Sequence, residues 1–153
     1  LCFEPMPQSF ELLKKNIEEN GLQEQVIPFN AAVVGKKTAK QIPLYICEDN
    51  PACNSLYKEH SQKGSKETFV KTLTLSKIFS MNNITECDLL KLDCENAELE
   101  ILRESKKELQ KTRSIVLEYH DHKKFEEIKK LLHQDGFDLK KVPDTIIAYA
   151  KRN

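Results

Sequence analysis

The ten residues Leu89-Leu90-Lys91-Leu92-Asp93-Cys94-Glu95-Asn96-Ala97-Glu98 constrain the fold more than any other part of the chain. They open as a short apolar run with one lysine in it, the pattern of a strand buried in a parallel sheet. They turn acidic where a helical spacing (Ala97, Glu98, Leu99, Leu102) takes over. In an open α/β sheet, ligands sit at that junction, outside the carboxyl end of the strand. Asp93, Glu95 and Glu98 together exceed what packing alone asks for. A second junction of the same kind opens the chain: Leu1-Cys2-Phe3-Glu4, then Pro5-Met6-Pro7 and an amphipathic helix. Two strand ends that each present an acid point to a nucleotide-like ligand.

With 153 residues the chain is expected to form one domain, residues 1–153, around one core. Lysine plus arginine and aspartate plus glutamate both number 24, so no basic field speaks for nucleic acid as a partner. No apolar run approaches the ~18–20 residues of a membrane span, so no membrane partner is expected either. The chain opens on an apolar strand pattern without a signal peptide or an initiating methionine, the look of a fragment.

Five cysteines is an odd number, and none shows CxxC spacing. Cys2, Cys87 and Cys94 lie in or beside strand patterns, where cysteine behaves as a small hydrophobe. Cys47 and Cys53 lie in a loop, but a zinc site wants closer pairs and more ligands. Ordinary reduced cysteines of a cytoplasmic protein are the expectation.

The rest alternates. Residues 8–19 place Phe10, Leu13 and Ile17 on one helix face, with Glu11/Lys15 and Lys14/Glu18 as i,i+4 pairs and Asn20-Gly21 as the stop. Strands are expected at Val26 to Val34, Gln41 to Cys47 and Phe69 to Leu73. Residues 48–67 form a long polar loop between them, a candidate acceptor lid or a disordered insertion, with Asn54, Ser55 and Tyr57 as possible contacts. Thr74 caps a short helix that turns Leu75, Ile78 and Phe79 inward. A strand at 88–93 leads into helices near 97–103 and 105–110, then a strand at Ser114 to Tyr119. A helix over 122–134 follows, with Phe125, Ile128, Leu131 and Leu132 inward. Phe137 to Val142 and Thr145 to Ala150 read as an antiparallel pair across Pro143-Asp144. The fold class is therefore α/β in three layers, mostly parallel, with an antiparallel C-terminal hairpin.

Several of these segments carry a family resemblance. Phe3-Glu4-Pro5 with its helix, Asn30-Ala31-Ala32-Val33, Thr72-Leu73-Thr74-Leu75, the block Lys91-x-Asp93-x-Glu95-x-Ala97-Glu98 and Leu117-Glu118-Tyr119-His120 occur in order along nearly the whole chain. Together they resemble the FkbM-type methyltransferases. The resemblance implies a Rossmann-like methyltransferase sheet, S-adenosylmethionine as cofactor, and methyl transfer to a hydroxyl of a sugar or small metabolite.

Two departures stand out. The family usually has glycine where this chain has Asn96, and asparagine is the residue that best replaces glycine at positive φ. The family also begins with a strand and a glycine-rich turn for the methionine part of the cofactor. Here the four glycines, at 21, 35, 64 and 136, are too scattered to build it. The resemblance thus implies that one βα unit, ~20–30 residues, is absent. In the family's sheet that strand lies between the strand at 1–4 and the strand at 88–93. Two open strand edges would then invite pairing with another chain, so an oligomer, or an altered arrangement of residues 1–34, is expected rather than a clean monomer. The partner in that case is a second copy of the chain, a homo-oligomer.

By resemblance, Glu4 takes the ribose diol; otherwise it is a carboxylate stabilising the dipole of helix 8–19. Asn30 meets an adenine edge or serves as an Asx-turn residue, Ala31 and Ala32 leave room for the ring, and Met6 packs on adenine or on the surface. Asp93 and Glu95 have the best claim to the reaction centre, beside a sulfonium whose charge favours carboxylates, and Asp93 would also touch the cofactor. Glu98 shares their cluster; the alternative, capping of the helix start, accounts well for one or two of the three acids but less well for all three. His120 is a candidate general base for a hydroxyl acceptor. Glu118 lines the pocket or is a solvated strand end; Tyr119 and His122 read as core and surface. His120-Asp121-His122 is a weak metal signal, since a helix start wants Asp121 as its N-cap, and no metal is expected. Alternatives from other classes are a non-catalytic binding or assembly module with the same fold, and a dehydrogenase-like nucleotide enzyme. The latter would need a phosphate-cradling glycine loop that the chain lacks.

Overall fold

The computed structural model describes residues 1–36, 39–46, 54–58 and 66–152. The chain divides into two compact units, Leu1–Val33 with Lys37–Leu73, and Val34–Lys36 with Thr74–Asn153.

In the first unit β1 (Cys2–Phe3) precedes α1 (Pro7–Glu19). Pro7 opens that helix where a missing N–H costs nothing, and Glu4 Oε1 accepts the N–H of the N-cap residue Met6 at 2.7 Å. Gly21, at φ +65°, ends it in the left-handed conformation that glycine adopts freely. The charged pairs on α1 are Glu11–Lys14 at 2.8 Å and Lys15–Glu19 at 3.7 Å, in place of the two expected pairings. The single strand expected over 26–34 is two short ones, β2 (Pro28–Phe29) and β3 (Ala32–Val33). The break has a cause: Asn30 Nδ2 donates to the carbonyls of Glu4 and Pro5 at 2.9 and 3.1 Å, turning the chain out of the strand. β1 runs parallel to β2, with Phe3 stacked on Phe29 at 5.1 Å.

β3 is also parallel to β5 (Lys66–Leu73), and β5 is antiparallel to β4 (Gln41–Ile46). Period-two alternation puts Ile42, Leu44 and Val70 on one face of this pair. There Ala32, Leu44 and Val70 form a core on which Met6, Ile42 and Leu56 pack. On the opposite face Phe69 is 61% exposed. Of the long loop, Ser55 is buried and exchanges both backbone hydrogen bonds with Tyr45, and its Oγ accepts the N–H of Tyr57. Cys47 and, of that loop, residues 48–53 and 59–65, including Cys53 and Lys63 to Ser65, lie outside the described residues.

The second unit holds α2 (Leu75–Met81), β6 (Cys87–Leu92), α3 (Glu98–Arg103), α4 (Lys106–Leu109), β7 (Thr112–Glu118), α5 (His122–Gln134), β8 (Phe137–Lys141) and β9 (Ile147–Arg152). Thr74 Oγ1 accepts the N–H of Lys77, and Leu75, Ile78 and Phe79 are buried, as their spacing predicts. The sheet order is β6-β7-β9-β8, with β6 and β7 parallel and the other pairs antiparallel. Asp121 Oδ1 caps α5 through the N–H groups of Lys123 and Lys124 at 2.7 and 3.1 Å. Phe125, Ile128 and Leu132 are buried beneath that helix, whereas Leu131 is only half-buried. Arg152 is the clasp of the unit. It donates to the carbonyls of Thr112, Asp135 and Leu109 and lies 4.4 Å over the Phe137 ring.

The sheet expected to be mostly parallel is less so. Of the six strand pairings among the described residues, three are parallel and three antiparallel, because the β4–β5 pair adds an antiparallel element to the one at the C-terminus. No helix among the described residues is long and apolar enough to cross a membrane.

Candidate active site

β6 becomes α3 within five residues, and those residues carry the acids. Lys91 and Asp93, two apart on an extended strand, lie on one side and pair at 2.9 Å in solvent. The chain then turns through two consecutive left-handed residues, Glu95 at φ 47° and Asn96 at φ 79°. Asparagine tolerates that conformation, as its place in the sequence predicts. For glutamate it costs roughly 1–2 kcal/mol, a strain held by the surrounding contacts. Glu98 supplies one such contact: only 3% exposed, it accepts the N–H of Cys94 at 2.7 Å. Burial, with the Glu98 carboxylate beside it, pushes the Cys94 thiol up to about 12. Glu98 therefore shapes the turn, the helix-start reading of the cluster.

The end of β7 faces this turn. Glu118 and His120 are again two apart and share a side. His120 Nε2 lies 3.3 Å from Glu118 Oε1 and 3.8 Å from Glu95 Oε2, with all three side chains about 30% exposed. Burial raises the Glu95 carboxyl above the ordinary glutamate range. The His120 imidazole pulls it down, and the carboxylates of Asp93, Glu118 and Glu98 push it up. Two carboxylates beside Nε2 can orient the imidazole and leave Nδ1 to accept a proton, the arrangement of an oriented general base. Sequence reasoning left Glu118 between two roles; its contact with His120 gives it an orienting position. Lys124 was missed altogether: its Nζ donates to the carbonyl of Asn96 at 3.3 Å from the first turn of α5. Tyr119 is core, 4.2 Å from Phe125, and His122 is exposed.

The other predicted residues lie in the first unit. The Glu4 carboxyl is raised by burial and lowered by the Met6 N–H. Met6 packs on the Ala32–Leu44–Val70 core. Asn30, its Nδ2 bound to Glu4 and Pro5, keeps Oδ1 for another donor. Asn30 and Ala31 line a cleft of about 690 Å³ shared with Pro28, Phe29 and Thr72. Among the described residues Lys40 and Lys71 are the charged groups on its wall, and no sequence signal singled them out.

Strand ends that carry acids, a sharp strand-to-helix turn and a closing antiparallel pair describe an α/β fold of the methyltransferase kind. The same fold is found in the solved structure of the METTL16 MTase domain (crystal form 2). The match has a TM-score of 0.52 and 14% sequence identity, and covers 98% of this chain and 48% of that one. The chain thus spans about half the length of the solved structure it matches. A sequence profile of the methyltransferase FkbM domain matches residues 1–139, and the chain belongs to that family. No curated protein matches it.

Proposed function

We propose that this chain works in S-adenosylmethionine-dependent methyl transfer to a hydroxyl group of a sugar or other small metabolite, as one methyltransferase domain. The observation that carries the reading is the imidazole of His120 set between Glu118 and Glu95 at the ends of two neighbouring parallel strands. Membership of the FkbM family supports it.

The residues fit the cofactor. The cleft is of ligand size, within the roughly 300–1,000 Å³ of small-molecule sites. Asn30 Oδ1 would accept from the exocyclic amine of adenine, with Ala31 beneath the ring and Met6 behind the turn. Glu4 would accept from the ribose hydroxyls. When bound, S-adenosylmethionine supplies an electrophilic methyl group on a sulfonium. Asp93 and Glu95 would favour that positive charge. His120 Nδ1 would take the acceptor's hydroxyl proton, with Glu118 and Glu95 stabilising the imidazolium. Among the described residues β6 pairs only with β7, and its other edge is where a further parallel strand bearing the glycine-rich turn, or a second copy of the chain, would add.

A second reading, a non-catalytic module, is favoured by the Asp93 carboxylate's ion pair with Lys91. Calorimetric titration of S-adenosylmethionine and S-adenosylhomocysteine discriminates, run on this chain and on one lengthened ahead of Leu1. Binding that Glu4→Gln weakens by about 10-fold or more, the loss of a charge-assisted hydrogen bond, supports the enzyme. No heat from either folded chain favours the module. Size-exclusion chromatography with light scattering tests the open edge, and a stable monomer of this chain counts against pairing there.

A further inference from the structure

We propose that Lys124 is a positioning residue for the His120 site: its ammonium fixes the Asn96 carbonyl and so holds the left-handed Glu95–Asn96 turn in the shape that carries the Glu95 carboxylate to His120. The catalytic meaning of this clamp rests on the methyl-transfer reading, but its geometry does not.

The turn needs holding. Glu95 and Asn96 occupy consecutive positive-φ positions; asparagine accepts its own, but glutamate adopts one only when its surroundings impose it. Contacts within the β6–α3 segment fix its first half: Cys94 N–H to Glu98, and Ala97 N–H to the Cys94 carbonyl at 3.2 Å. The carbonyl of Asn96, between the left-handed pair and α3, is met instead from α5, by Lys124 Nζ at 3.3 Å. Lys124 is itself fixed at its base, since Asp121 accepts its backbone N–H at 3.1 Å. Asp121 directly follows His120. One short segment, 120–124, therefore carries the imidazole, the cap that seats the helix, and the ammonium that grips the opposite turn.

Electrostatics sets Lys124 apart from its neighbours. The first turn of a helix carries the positive end of the dipole and disfavours cations. His122 and Lys123 stand there exposed to solvent, whereas Lys124 is half-buried. A half-buried cation at that end needs an acceptor, and the Asn96 carbonyl provides one.

The test reads the contact between Glu95 and His120 directly, by following the Glu95 side-chain carboxyl carbon through a pH titration by NMR. The groups facing Glu95 are His120 and Glu118 from the end of β7, Asp93 from the end of β6 and Glu98 from α3. In the otherwise unchanged chain, His120→Gln removes the neighbour that lowers the Glu95 carboxyl, so its titration midpoint rises. In a Lys124→Met chain the turn is released, and the same His120→Gln change leaves the midpoint unmoved. Lys124→Arg, which keeps a cationic donor, restores the response. An undiminished response in Lys124→Met overturns the proposal. Should that variant not fold, Lys124→Gln, one atom shorter and uncharged, is read against the same two outcomes. The titration needs neither cofactor nor acceptor. A lost response in a chain that binds no S-adenosylmethionine leaves the clamp standing while the enzymatic reading falls, and the reverse pattern does the opposite.

Discussion

Glu98 accepts the backbone N–H of Cys94 at 2.7 Å, reaching back four residues across the turn that leaves β6. A carboxylate 3% exposed on the first residue of a helix is well placed twice over, by the hydrogen bond and by the helix dipole. Glu98→Ala should lower the unfolding free energy by about 1–3 kcal/mol, the range for orphaning a buried hydrogen-bonded group. Glu98→Gln, which keeps an acceptor oxygen, should lose less. Urea denaturation of the three proteins checks the order, and equal stabilities of parent and Glu98→Ala would remove Glu98 from the turn.

Asn96 stands at φ 79°, where glycine is at ease. Asn96→Gly should be neutral or slightly stabilising. Asn96→Val, β-branched in a left-handed position, should cost about 1–2 kcal/mol. Thermal melts of both variants decide it, and a Val variant as stable as the parent would mean that the turn is not left-handed in solution.

Glu95 gives a pH dependence with a definite sign. Its folded-state carboxyl is raised from 4.5, first by burial, so the folded chain binds its proton more tightly than the unfolded chain does. Stability from this group is complete below 4.5 and is lost as pH rises through the raised value. Glu95→Gln removes that dependence. Above the window the variant should be at least as stable as the parent, and its advantage should fade on acidification. Denaturation midpoints measured from pH 4 to pH 8 test this; a gap that widens toward acid would reverse the assignment.

Gly35 touches α3. A Cβ built there would lie 2.5 Å from the carbonyl oxygen of Glu100 and 2.7 Å from its Cγ, closer than side-chain carbons approach backbone. Lys36, next in the chain, pairs with Glu104 at 3.0 Å on the same helix. Gly35→Ala should cost about 1–3 kcal/mol by overpacking. A variant unfolding at the parent's denaturant midpoint would show that the 34–36 segment sits away from α3.

Local signals in the sequence carried furthest where one residue decides one feature. Asp121 and Thr74 announced their helix starts, Gly21 its helix stop, and Asn96 its positive φ. The strand at 26–34 is broken at Asn30, the one polar residue in an otherwise apolar run and a candidate turn residue, but its partners are too distant in sequence to show that it would interrupt the ladder. Asn30 does so through the carbonyls of Glu4 and Pro5, a contact across 25 or 26 residues. The β4–β5 pairing was hidden for a related reason, since strand partners joined by a long loop leave no turn signature. In the candidate site, residue types at strand ends pointed to Glu95 and His120, and the structure places them 3.8 Å apart. Lys124 was invisible among the basic residues of its helix, because nothing in a run of lysines tells which one meets a carbonyl.

β9 lies between β7 and β8, although it follows both in the chain. As the polypeptide leaves the ribosome, β7 and β8 are made first and have no partner in each other. Each waits for residues 147–152, and with them for Arg152, whose guanidinium reaches back to Leu109, Thr112 and Asp135. The second unit can therefore complete its sheet only when its last strand has been translated. Until then two strand edges stand open, a window in which a nascent-chain chaperone would find its substrate.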